Sequence, residues 1–173
     1  MRFALLLAVA AACTKSSPSS PPSSPPSSAA IQPADLSTFT LDPAAGFRTY
    51  VERGAGPSFV EVTKHTDAMT SKYDVWPWDP SWPTDAAGFA AKLPQLDFID
   101  DAYRYDVAPT SQTDDAWEFR GTDVHRSGDR RPTFLLVRTI DGKRFLCKGR
   151  RVEDPGAMDA AIASCRGAKL SAR

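Results

Sequence analysis

The chain has 173 residues, 42% hydrophobic and 24% charged, and its 21 Lys+Arg balance 21 Asp+Glu to a formal net charge of zero. This composition excludes a collagen-like repeat, a multi-span membrane protein and a wholly disordered chain. A dedicated nucleic-acid binder would carry a basic excess, so no nucleic-acid partner is expected, and the length suits a single domain.

The N-terminus reads as an export address. Arg2 precedes an apolar run over 3–12. That is about half of the roughly 20 residues that cross a bilayer as a helix, and it closes on small residues as a secretory signal does. Ala10, Ala11 and Ala12 stand directly before Cys13. This tetrapeptide resembles the lipobox of bacterial lipoproteins, where the signal is cut before the cysteine and the sulfur then carries a diacylglycerol. The resemblance implies a signal peptide over 1–12, lipidation at Cys13 and membrane attachment through that lipid. The competing reading is ordinary cleavage near Ala12, with Cys13 incidental. Thr14 stands where Gram-negative lipoproteins kept at the inner membrane tend to have Asp. The resemblance therefore implies the outer membrane, facing the periplasm or the cell surface.

Residues 14–33 contain eight Ser and six Pro. Nothing before Ile31 has apolar surface to bury, so the stretch cannot offset its ordering entropy. Proline draws it toward polyproline II, in which 20 residues reach roughly 60 Å. The expected organisation is a lipidated cysteine and disordered tether over 13–34, then one domain over 35–173.

Within that domain, strands are expected over 39–41 and 47–52, on either side of a turn with Pro43 and Gly46, and over 58–65. The last two alternate apolar and polar residues as an antiparallel hairpin does. Three Trp and three Pro follow within eight residues, over 76–83. Trp76, Trp78 and Trp82 are candidate partner-binding residues, since exposed indoles held by prolines make platforms for sugars or apolar surfaces. The alternative is a proline-stiffened loop whose rings cover one end of the sheet. Thr84 and Asp85 are placed to cap a short helix ending at Leu93 before Pro94. A second short helix is expected over 95–105, with Leu96, Ile99 and Tyr103 in one stripe, and a loop over 106–115.

The C-terminal third gives the clearest pattern. Strands are expected over 117–124, 133–140 and 143–149, the middle one apolar on both sides and therefore central. Asp141-Gly142 suits a type I′ hairpin, whose two central residues need positive φ. Asp154 and Pro155 start a helix in which Met158, Ala161, Ile162 and Cys165 form one stripe, and Gly167 ends it. With Cys13 lipidated, Cys147 and Cys165 remain. Two cysteines in an oxidising compartment make one disulfide, and a helix laid back on the preceding strand brings their Cα atoms within the ~7 Å that bond requires. Two buried free thiols are the alternative.

Charge is uneven along the chain. Residues 34–119 hold 6 Lys+Arg and 15 Asp+Glu, net −9, and residues 120–173 hold 13 and 6, net +7. Two halves that pack together and neutralise each other explain this, as do two separate faces for two partners. Lys143, Arg144, Lys148, Arg150 and Arg151 are expected on a solvated, edge-protecting strand. Asp97, Asp100, Asp101, Asp106, Asp114 and Asp115 lack the ligand rhythm of a calcium loop. His65 and His125 have no ligand spacing to a cysteine and no recognisable catalytic partner. No catalytic residue, metal ligand or cofactor is assigned.

The segments FTLDPAAGFRTYV and FLLVRTIDGKRFLCKGRRVEDPGAMDAAIASC resemble the two ends of the Mog1/PsbP-like α/β fold: a strand, a Pro and Gly turn and a strand, then a strand, a tight turn, a strand and a closing helix. The resemblance implies an antiparallel sheet flanked by helices, serving as a binding or adaptor module without catalysis. The fold expected is α+β, an antiparallel sheet of five to six strands packed by a C-terminal helix and short middle helices. The function expected is an envelope lipoprotein that binds a protein or glycan. A small hydrolase with an unrecognised site and a purely structural lipoprotein are the alternatives.

Overall fold

The computed structural model describes residues 31–52, 59–65, 70–95, 103–150, 152 and 155–171. The signal, Cys13 and the tether up to residue 30 lie outside them, as do residues 96–102, which hold most of the expected second helix with Leu96, Ile99, Asp97, Asp100 and Asp101, and Arg151 and Asp154. The strands are β1 (Gln32–Pro33), β2 (Phe39–Thr40), β3 (Arg48–Glu52), β4 (Phe59–His65), β5 (Thr70–Pro77), β6 (Tyr103–Gln112), β7 (Ala116–His125), β8 (Arg130–Ile140), β9 (Lys143–Arg150) and β10 (Lys169–Leu170). The helices are α1 (Ala86–Lys92) and α2 (Pro155–Arg166).

The main sheet has eight strands in the order β3-β4-β5-β9-β8-β7-β6, with β1 added in parallel to the start of β9. All other neighbours in it are antiparallel. β2 and β10 form a separate two-stranded ribbon. The fold is thus α+β around an antiparallel sheet, but larger than the five or six strands expected. Gln32 and Pro33 lie in a strand and Ala34 is buried, so ordered packing begins inside the stretch expected to be tether.

β8 is central, as its two-sided apolar run requires. Phe134 and Leu136 point to one face, Leu135 and Val137 to the other, and all four are buried. Asp141 (φ 51°) and Gly142 (φ 74°) turn β8 into β9 with the positive φ pair of a type I′ hairpin. At Gly121 the partner strand comes so close that a Cβ would fall 2.0 Å from the Asp106 carbonyl oxygen, so only glycine fits there.

α2 covers one face. Met158, Ala161, Ile162 and Cys165 are buried on Val60, Val62, Tyr73, Val75, Phe134, Leu136 and Phe145, together with Leu36 and Phe47 from the N-terminal arm. The Tyr73 hydroxyl reaches Ser164 of α2 at 2.8 Å and accepts from the Ala44 amide at 3.3 Å, tying arm, sheet and helix together. The Arg138 guanidinium donates to the carbonyls of Cys165, Arg166 and Ala168, closing the C-terminal end of α2.

Cys147 of β9 and Cys165 of α2 are joined by a disulfide, with Cα atoms 6.4 Å apart and both residues fully buried. The bond staples the covering helix to the sheet's centre across 18 positions. Reduction is expected to cost about 3 kcal/mol. Non-reducing mass spectrometry reads the linkage, and urea unfolding with and without reductant reads the cost. Two freely alkylated thiols in native protein would overturn the assignment.

The other face carries a second core. Trp78, Trp82, Ala86, Phe89, Leu93, Trp117, Phe119, Leu135, Val137 and Leu146 form it, capped by α1. The Asp85 carboxylate accepts from the Gly88 amide at 2.8 Å and starts α1 where expected.

Residues 70–77, to which the sequence pattern assigns no element, form β5, a strand between β4 and β9. Residues 103–112, expected to be helix end and loop, form the ten-residue edge strand β6. Its alternating burial is visible only from Tyr103 to Val107, and from Ala108 onward every residue is exposed. An edge strand has one wet face and one unpaired side, so its hydrophobic period fades. Pro109 sits beside a register shift in this strand, which blunts the edge.

Candidate functional site

Residues directly opposite on neighbouring strands share a face, so the pairing places several charges together. Glu61, Asp74 and Lys148 lie in one row across β4, β5 and β9, and Thr63, Lys72 and Arg150 in the next. Tyr105, Asp123 and Arg131 line up across β6, β7 and β8, with Tyr103 beside His125. These rows occupy the same sheet face as the tryptophan core, which is therefore half apolar and half ionic.

Burial makes the arrangement unusual. Asp74 (2% exposed), Lys148 (3%) and Asp123 (1%) are all interior. Lys148 Nζ lies 4.0 Å from Asp74 Oδ2 and 5.3 Å from the Trp76 ring centre. Among the described residues Asp74 Oδ1 accepts no hydrogen bond. Desolvation pushes the Asp74 carboxyl above its ordinary range, against the pull of Lys148 and then Lys72. Lys72 pairs with Glu61. Burial, and next the Asp123 charge, push the Tyr105 phenol upward, so it stays protonated. The Arg150 guanidinium stands 5.0 Å over the Tyr103 ring and links the buried row to the edge.

At that edge the face opens into a small cleft of about 100 Å³ lined by Tyr103, Asp123, His125, Ser127, Asp129 and Arg131. The β7–β8 turn builds its outer wall. His125 Nδ1 lies 2.7 Å from the Ser127 hydroxyl and accepts the Ser127 amide at 3.2 Å, while the His125 amide donates to the Asp129 carbonyl at 2.8 Å. The His125 ring rests against Tyr103 at 4.9 Å between centres.

The tryptophans lie elsewhere and are core. Trp78 (2% exposed) and Trp82 (9%) meet edge to face at 5.0 Å, and Trp76 is half-buried on β5. The exposed platform expected of Trp76, Trp78 and Trp82 is therefore replaced by the other reading, rings that close one end of the sheet. The prolines and Asp85 fold 77–85 back onto the sheet, and Phe89 of α1 seals the indoles.

The basic cluster also differs from expectation. β9 is an interior strand, and Arg144 (5% exposed) is buried. Its guanidinium lies 4.3 Å from Trp117 and 5.1 Å from Trp78, and donates to the Thr84 carbonyl and the Thr139 hydroxyl. A planar cation between indoles bridges the core to the start of α1. The unequal charges of the two halves meet across the fold, as where Asp74 faces Lys148 and Arg130 pairs with Asp106.

Of the cleft residues, His125 alone stands out in the sequence, and there it has no recognisable catalytic partner. Asp74 and Asp123 each occupy a polar position of an otherwise ordinary strand, which reads as solvent-facing. Lys148 follows the apolar run at Phe145, Leu146 and Cys147, but only the placement of β9 between β5 and β8 shows that its strand is interior. Asp106, Asp114 and Asp115 are exposed, in β6 and the β6–β7 turn. Among the described residues no cluster of three or more His, Cys, Asp or Glu side chains is placed to hold a metal ion. Comparison with protein-family models and with curated protein sequences finds no match.

Proposed function

We propose that this protein is an exported, lipid-anchored module of the bacterial cell envelope that binds another envelope component, a glycan or a protein, without transforming it. The cleft carries the binding half of this reading: side chains from three adjacent strands and a turn converge on one concavity, and its floor is ionic where a packing face would be apolar. The N-terminal apolar run, Ala10 to Cys13 and the Ser/Pro segment support the anchor, and a buried disulfide fits an oxidising compartment. Cys13→Ala is expected to abolish acylation and release the chain from membranes on fractionation. Normal processing and membrane retention of that variant would overturn the anchor.

The hydrolase alternative keeps one observation, the 2.7 Å approach of Ser127 to His125. The two residues are two positions apart in one turn, and the same nitrogen accepts the Ser127 amide, which is how such turns close. Among the described residues no carboxylate bonds the other ring nitrogen to orient it. A fluorophosphonate probe separates the readings. It leaves a turn serine unlabelled and labels an activated Ser127.

A further inference from the structure

We propose that the cleft at the β7–β8 end of the sheet binds a single neutral pyranose unit of an envelope glycan, an inference that rests on the anchored-module reading. The cleft lies at Arg131 and the preceding turn, and the chain enters the sheet at the opposite end of β8, where β1 pairs with Lys143 and Arg144 beside the β8–β9 turn.

The ligand class comes from the lining. Asp123 and Asp129 are acceptors and Arg131 is a donor, the hydroxyls of Ser127 and Tyr103 do either, and the His125 ring offers its second nitrogen, Nδ1 being engaged by the Ser127 amide and hydroxyl. A sugar ring matches this, because each of its hydroxyls donates and accepts at once. An anion meets two carboxylates against one guanidinium. An apolar peptide anchor, the usual hot spot of a protein contact, finds no apolar pocket. The cleft, about 100 Å³ and open to solvent, takes up part of one such ring.

The test uses the full chain in detergent, with a soluble N-acetylglucosamine oligosaccharide followed by calorimetry and purified peptidoglycan followed by sedimentation. Saturable binding is expected, at least tenfold weaker in Ser127→Ala and in Asp129→Ala. Both are turn residues whose truncation removes no core packing, and an unchanged melting temperature verifies this. Cys13→Ala is expected to bind the sugar normally. No binding by the parent chain, or binding that both turn variants retain at unchanged stability, overturns the site. Capture of a protein but not of glycan, lost in the same variants, also overturns it. Failure of the anchor is read separately: a non-acylated native chain that still binds sugar supports the site and refutes the anchored-module reading.

Discussion

Trp78→Ala is expected to cost about 3–5 kcal/mol. Trp78 is 2% exposed and sits at the centre of the second core. Its ring meets Trp82 at 5.0 Å, Phe89 at 5.3 Å and Trp117 at 6.0 Å, with the Arg144 guanidinium 5.1 Å away. Truncation removes that apolar surface and leaves a cavity whose walls are rigid rings, which collapse poorly. It also takes one of two indoles from a buried guanidinium that desolvation already disfavours. In a domain of this size the melting temperature falls by roughly 3 °C per kcal/mol, or about 9–15 °C. Trp76→Ala is expected to cost less, because Trp76 is half-buried at the border of the ionic half. Thermal and denaturant unfolding of the two variants check both values. An unchanged melting temperature in Trp78→Ala would return the indole to a surface role.

The contrast between Trp78 and the cleft shows which parts of the molecule the sequence made legible. Elements whose hydrophobic period is regular and whose ends carry turn or cap chemistry were readable: the β3–β4 hairpin, the Asp141-Gly142 turn, the Asp85 cap and the α2 stripe with its cysteine. β5 was not, because its polar positions, Lys72 and Asp74, face an ionic interior, and Trp76 and Pro77 lead straight into the tryptophan segment. β6 was not, because one exposed face and one unpaired edge erase the alternation. The cleft was illegible for a different reason. Tyr103, Asp123 and Arg131 come from three strands and meet only through register, which a one-residue slip would destroy. Aromatic density drew attention to 76–83, yet such density marks buried surface as readily as a binding face.

Lys148→Met is expected to destabilise by about 3–5 kcal/mol at neutral pH, while the double variant Asp74→Leu/Lys148→Met recovers most of that loss. Lys148 and Asp74 are 3% and 2% exposed, and their charged atoms stand 4.0 Å apart, beyond a good hydrogen bond. Attraction at that range offsets the desolvation of two ions only in part. Removing the ammonium leaves the carboxylate without its largest compensating charge. Replacing both groups removes both desolvation costs and fills the space with apolar atoms. The sign of the pH dependence follows from the raised Asp74 pKa. Asp74 binds its proton more tightly folded than unfolded, so its contribution to stability is fully present below the unfolded carboxyl pKa and is lost as pH rises through the higher folded one. Asp74→Asn removes that titration. The stability of Asp74→Asn relative to the parent should therefore rise between acid and neutral pH, and Lys148→Met should lose most at the upper end, where protonation no longer rescues the carboxyl. Urea unfolding of the four proteins across pH 3–7 tests this. A parent that gains on Asp74→Asn as pH rises would mean that the pair outweighs its desolvation, and the ionic half of the face would then be a source of stability in itself.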